Sequence, residues 1–245
     1  MDPAAARPES SPSSARGHGL LTPSLIGAGV TALAGVLSYL VPSRHAATSV
    51  GFCFFIATYV LVMRKSSETI RHHGVSLGGL FEPVPLSPRR IAADTRSAFA
   101  WALGASLLLL PLFWLGFIVW WHPRHDFDPT LSPSLDEVIG QLLVIALPEE
   151  LFYRGYLQTA LEDAAPRRRR VLGAEVGLGL LLSSAIFAAG HLLTEPHPAR
   201  LAVFFPSLVF GWLFARTRGV GAAILFHAAC NLFSAYLARG YGFMH

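Results

Sequence analysis

Residues Leu147–Gly155 read "LPEELFYRG" and sit near the middle of a long apolar segment. The stretch places Glu149, Glu150 and Arg154 just after Pro148. On the surface of a soluble helix those charges would need no explanation. At the centre of a membrane helix each costs about 2.5–3.5 kcal/mol on insertion scales. The surroundings therefore decide what the motif means.

The surroundings are oily. The chain has 245 residues, 53% of them hydrophobic and 14% charged. Its mean hydropathy is +0.48. That composition excludes an ordinary soluble domain and points to an all-α, polytopic transmembrane helical bundle. A spanning helix needs about 20 mainly apolar residues. Seven segments qualify, near 20–41, 46–63, 97–121, 135–163, 171–193, 199–215 and 219–238. The first reads as a retained helix, because it is too long for a signal-peptide core. Residues 1–19 are rich in Pro, Ser and Ala and read as a disordered cytoplasmic tail. Cys53 and Cys230 lie in apolar runs and read as packing residues rather than a disulfide.

Lys and Arg are enriched in cytoplasmic loops. With the N-terminus inside and seven alternating spans, fourteen of the nineteen fall inside and four outside, with Arg154 in the membrane. The expected topology is N-terminus inside, C-terminus outside, in a bacterial inner membrane. The run Arg167–Arg170 then reads as a stop at the cytoplasmic face beside anionic lipid. No nucleic-acid partner is expected, since the basic residues are spread between oily segments. The paired His72 and His73, with His122, His125 and His197, read as loop residues at the surface or the membrane interface.

Three places break the oily pattern. Glu150 and Arg154 are four apart and stack on a helix, acid before base. Glu149 is turned about 100° from Glu150. One carboxylate then looks structural and the other free to act, with Pro148 expected to kink or restart the helix. Phe187 and His191 share a face in "FAAGH", and so do His227 and Asn231 in "HAACN". The latter pair suits joint donation to one oxygen. Each feature has a plainer reading: a packed histidine, an interhelical amide, a buried salt bridge. A carboxylate, two histidines and an amide on three helices together mark a pathway or a catalytic site.

"EELFYR", "FAAGH" and "HAACN" fit EExxxR, FxxxH and HxxxN. In order and spacing they resemble the CPBP family of intramembrane proteases, which includes type II CAAX prenyl endopeptidases and bacteriocin-immunity relatives. The resemblance runs over roughly 135–235 and includes "FPSLVFGWLFARTRGVGAAILFHAACN". It implies a CPBP-like catalytic core at 135–245, behind N-terminal transmembrane helices and a cytoplasmic loop at 20–134. It also implies roles. Glu149 would be the base that activates water, and His191 would hold that water. His227 and Asn231 would form the oxyanion hole. Glu150, Arg154 and Phe187 would support the site.

Two other chemistries compete with this one. Glu149, His191 and His227 are types that ligate zinc, but no metal is favoured, and HExxH is absent from the sequence. A thiol mechanism through Cys230 is disfavoured, because a buried apolar thiol is inert. The expected substrate is a membrane protein or lipidated protein in the bilayer. The myxosortase branch, similar in size and core motifs, implies cleavage of C-terminal sorting tails at an outward-facing site. Two alternatives lie outside proteolysis. One is a non-catalytic immunity or binding scaffold. The other is a proton-coupled transporter, which is expected to carry an internal repeat that this sequence lacks.

Overall fold

The computed structural model describes residues 19–243. The expected tail at 1–19 lies, but for Gly19, outside the described residues. Among the described residues, eight helices and one β-hairpin make a helical membrane bundle.

Helices α1 (Leu21–Leu40) and α2 (Ser43–Met63) form an antiparallel pair. Val41–Pro42 separates them, because Pro42 has no N–H to continue α1. A short α3 (Ser67–His72) follows, capped by Ser66, whose hydroxyl accepts from the Thr69 amide. Glu68 in its first turn and Arg71 in its last complement the helix dipole. Helix α4 (Pro88–Trp121) begins with proline at its first position, where no donor is lost. Its 34 residues span about 51 Å, well beyond a hydrocarbon core of about 30 Å. The polar start "PRRIAADTR" accounts for the excess and lies before the expected segment at 97.

Helix α5 runs over 135–164. A reciprocal capping box opens it: Ser134 accepts from the Glu137 amide, and Glu137 accepts from the Ser134 amide. The chain stays helical through Pro148 rather than restarting there. Wide turns at Gly140–Ala146 and Leu151–Gln158 flank the proline. Such widened turns recur at functional sites. Pro148 cannot donate to the carbonyl of Val144. Gly51 of α2 presses against that carbonyl so closely that a Cβ would overlap it.

After α5 the structure departs from expectation. The apolar segment expected from 171 starts instead at α6 (Leu178–Thr194). Strands β1 (Arg168–Val171) and β2 (Ala174–Gly177) pair antiparallel. Leu172 and Gly173 both take positive φ, 47° and 82°, as a two-residue hairpin turn requires. The Glu162 carboxylate accepts from the amides of Gly177 and Leu180, which fixes where α6 begins. A 3₁₀ turn (Pro198–Val203) leads into α7 (Phe204–Thr217), and α8 (Gly221–Gly240) closes the bundle.

Among the described residues, five helices are long and apolar enough to cross a membrane: α1, α2, α4, α7 with its leading turn, and α8. Helix α6 is apolar but shorter. The core lies around α5, where Leu151, Phe152, Leu157 and Leu161 are fully buried. Helix α4 instead exposes Leu107, Leu108, Leu112 and Val119, a surface that suits lipid and not water. His73 is not a surface residue: it is buried, and its Nδ1–H donates to the Gly155 carbonyl of α5 over 2.7 Å.

Candidate active site

Four helices bring the polar motifs together. Glu150 is fully buried on α5. Its Oε2 stands 3.1 Å from Arg154 Nε, a close ion pair that lacks hydrogen-bond alignment. Its Oε1 lies 2.9 Å from His227 Nδ1. Arg154, equally buried, also donates to the Ser207 hydroxyl (3.0 Å) and carbonyl (3.3 Å) of α7. Its guanidinium carbon lies 4.9 Å from the Phe187 ring centre and 5.5 Å from that of Phe210. Two aromatic faces and a carboxylate thus enclose the cation, which is how a buried guanidinium is tolerated.

The imidazole of His227 stacks on Phe210 at 4.7 Å, with 13° between the planes, and meets the edge of Phe187 at 5.8 Å. A carboxylate paired with arginine only accepts, so the nitrogen facing Glu150 must carry the proton. The other nitrogen, Nε2, lies 3.8 Å from Glu149 Oε2. Glu149 is 12% exposed, and that oxygen has no hydrogen-bond partner among the described residues. The two carboxylates therefore do not face apart, as a regular 100° turn suggests. Both reach one imidazole, one at each ring nitrogen.

His191 packs its ring 4.5 Å from Phe187. Its Nδ1–H donates to the Phe187 carbonyl over 3.0 Å. In the neutral ring that leaves Nε2 as an acceptor. Asn231 Nδ2 donates to Gln141 Oε1 over 2.9 Å. A carboxamide nitrogen carries two protons, so the second remains available. His227 and Asn231 are each held through one nitrogen by an acceptor on α5, Glu150 and Gln141. No three His, Cys, Asp or Glu side chains gather as a metal-binding set among the described residues. Cys53 and Cys230 are free thiols.

Residues 132–233 match the family model described as type II CAAX prenyl endopeptidase Rce1-like. Over that segment the chain is similar to the family. It contains every polar side chain of the cluster just described, so the stretch similar to CAAX-type endopeptidases and the buried site are the same part of the chain. No curated protein and no solved structure matches the chain.

The cluster also includes residues that motif reading passed over. Gln141, Ser207 and Phe210 hold Asn231, Arg154 and His227 respectively. Gln141 is a lone amide in the apolar run "VIGQLLVIALP", and that isolation was a readable signal. Phe210 carried none, because an aromatic residue in an apolar helix is indistinguishable from packing. Tyr153 ties the matched segment to α1, which lies outside it: its hydroxyl is 2.9 Å from that of Thr31. Thr31 already donates to the Gly27 carbonyl, so the phenol is the donor. Between α6 and α7, "TEPHPAR" forms a turn clasped by Glu195 and Arg200 at 3.3 Å.

Proposed function

We propose that this chain is a glutamate-driven intramembrane endopeptidase that hydrolyses a peptide bond of a membrane-associated protein. The observation that carries this reading is the division of His227 between Glu149 and Glu150. It leaves one carboxylate neutralised by Arg154 and the other facing the site with an unused oxygen.

In this mechanism Glu149 takes a proton from a water molecule, and the water oxygen attacks the scissile carbonyl carbon. His191 Nε2, the free acceptor, holds that water by its second hydrogen. The carbonyl oxygen gains the negative charge. His227 Nε2–H and the second N–H of Asn231 donate to it, each worth about 3 kcal/mol in such sites. His227 donates from both nitrogens only as imidazolium. The C–N bond then breaks, and Glu149 passes its proton to the leaving amine. Glu150, Arg154 and Phe187 hold the ring and the backbone in place.

The substrate in this reading is a protein tail anchored in the bilayer, of the C-terminal sorting type. Support comes from the family of the core and from the seating of Glu149 among membrane helices. The Lys and Arg distribution supports an orientation with the N-terminus inside; the membrane in this reading is a bacterial inner membrane. The test is cleavage in membranes co-expressing the chain with tagged proteins that carry a C-terminal membrane tail. Glu149→Gln is expected to lower the rate by about 10²–10⁴-fold with unchanged folded yield. A chelator is expected to leave cleavage intact. Processing by Glu149→Gln at the wild-type rate would sink the mechanism.

A further inference from the structure

A cavity of about 570 Å³ lies apart from the catalytic cluster, between the start of α4, the middle of α5, the α7–α8 turn and the segment after α3. Its inner wall is apolar and includes Leu142, Leu147 and Ile224. Its rim carries three guanidiniums, Arg71, Arg90 and Arg218, against one carboxylate, Asp94. The rim is built. Glu82, with a fully buried side chain, takes Arg71 on one oxygen and Arg90 on the other, and Ser76 donates to it. That clamp sets the two guanidiniums together while both remain partly exposed. Arg218 joins the rim from the α7–α8 turn, which the Val220 amide ties to this segment by donating to the Gly74 carbonyl. The rim stays net positive even with Glu82 counted.

We propose that this cavity binds an anionic phospholipid, the phosphate at the arginine rim and an acyl chain along the apolar wall. Free phosphate would use the rim and leave the wall bare. A zwitterionic lipid would use the wall and bring its own cation to the rim. Basic pockets between membrane helices on the Lys- and Arg-rich side are recurrent seats for anionic headgroups. Arg64, Lys65 and Arg216 lie in the segments that meet at this end.

The test uses the full chain in micelles, with three probes: phosphatidylglycerol, phosphatidylcholine of the same acyl chains, and inorganic phosphate. Bound lipid is counted by native mass spectrometry and stability by thermal unfolding. Phosphatidylglycerol alone is expected to stay bound and to raise Tm. Arg218 sits at φ 57°, a conformation that glycine adopts freely. Arg218→Gly therefore removes the charge without straining the fold. It should weaken retention about fivefold, the worth of one basic residue at an anionic surface, while Tm without lipid holds. Arg218→Lys should retain most of the binding. Arg169→Gln, on the exposed hairpin, should leave retention unchanged. Equal stabilisation by the two lipids, stabilisation by phosphate alone, or unchanged retention in Arg218→Gly overturns the proposal. So does a loss in Arg169→Gln as large as that in Arg218→Gly, which would mean general surface attraction.

Discussion

His227 Nδ1 lies 2.9 Å from Oε1 of Glu150, and this contact fixes how the imidazole can be used. The acceptor-only carboxylate commits one ring proton, so the chemistry of the other nitrogen depends on a residue that never faces the reacting atoms. Glu150 is thereby tied to two partners, Arg154 for its charge and His227 for its orientation.

That double tie separates stability from activity. Removing one member of a buried ion pair costs about 3–5 kcal/mol, because the other charge is left unpaired. Arg154→Met alone should therefore lower Tm and folded yield sharply. The double variant Glu150→Leu with Arg154→Met removes both charges and should recover much of the stability. It should not recover cleavage, since His227 has lost its orienting acceptor. Thermal unfolding and a cleavage assay on the same preparations check both halves. An Arg154→Met protein as stable as wild type would show that the pair does not neutralise Glu150 in the membrane.

Gln141 acts through Asn231. Its Oε1 is the acceptor that holds the Asn231 carboxamide at 2.9 Å. Gln141→Leu frees that amide to rotate and should lower kcat by about tenfold, part of the worth of one oxyanion donor, with little change in KM. Gln141→Glu restores an acceptor at the same reach and should regain part of the rate. A pure KM effect in Gln141→Leu would instead place the residue in substrate binding.

The fold and the site were legible to different degrees, for physical reasons. Helices α1, α2 and α8 begin and end within a few residues of their expected bounds, because apolar length is written directly in composition. The start of α6 was hidden. Its hairpin depends on positive φ at Leu172 and Gly173 and on a carboxylate from another helix, Glu162. The closeness of Glu150 and Arg154 follows from a spacing of four, which survives a widened turn. The direction of Glu149 does not, because it is set by where α8 seats His227 between the two carboxylates and not by the step along α5. Phe210 and Ser207 become visible only once α7 is seated against Arg154.

Gly51 is a close-approach glycine, and the helix crossing depends on it. A Cβ there would overlap the Val144 carbonyl and meet the Pro148 ring. Gly51→Ala should force α2 away from α5 and cost about 1–3 kcal/mol, the usual range for overpacking. Gly29 of α1 provides the control, because a Cβ there meets nothing within 4 Å. Gly29→Ala should be neutral or stabilising by about 0.5–1 kcal/mol. Thermal unfolding of both variants in one detergent decides the matter; equal effects at the two positions would mean that the contact is soft.

Glu82 gives the loop side of the bundle a definite acid limit. Burial alone would push its carboxyl up. The bonds from Arg71, Arg90 and Ser76 outweigh that and hold it at about 2, against an ordinary value of 4.5. A carboxyl lowered by folding adds stability that is fully present above its unfolded value and lost as pH falls through its folded value. The contribution should therefore be constant down to pH 4.5 and decline between 4.5 and about 2. Hydrogen exchange of the amides in 71–91 should show protection that is flat near neutrality and falls only in that window. Glu82→Gln should lower protection at neutral pH and remove the pH dependence below 4.5. Matching pH profiles in the two proteins would assign the acid sensitivity to another group, leaving the arginine clamp without its linkage to folding.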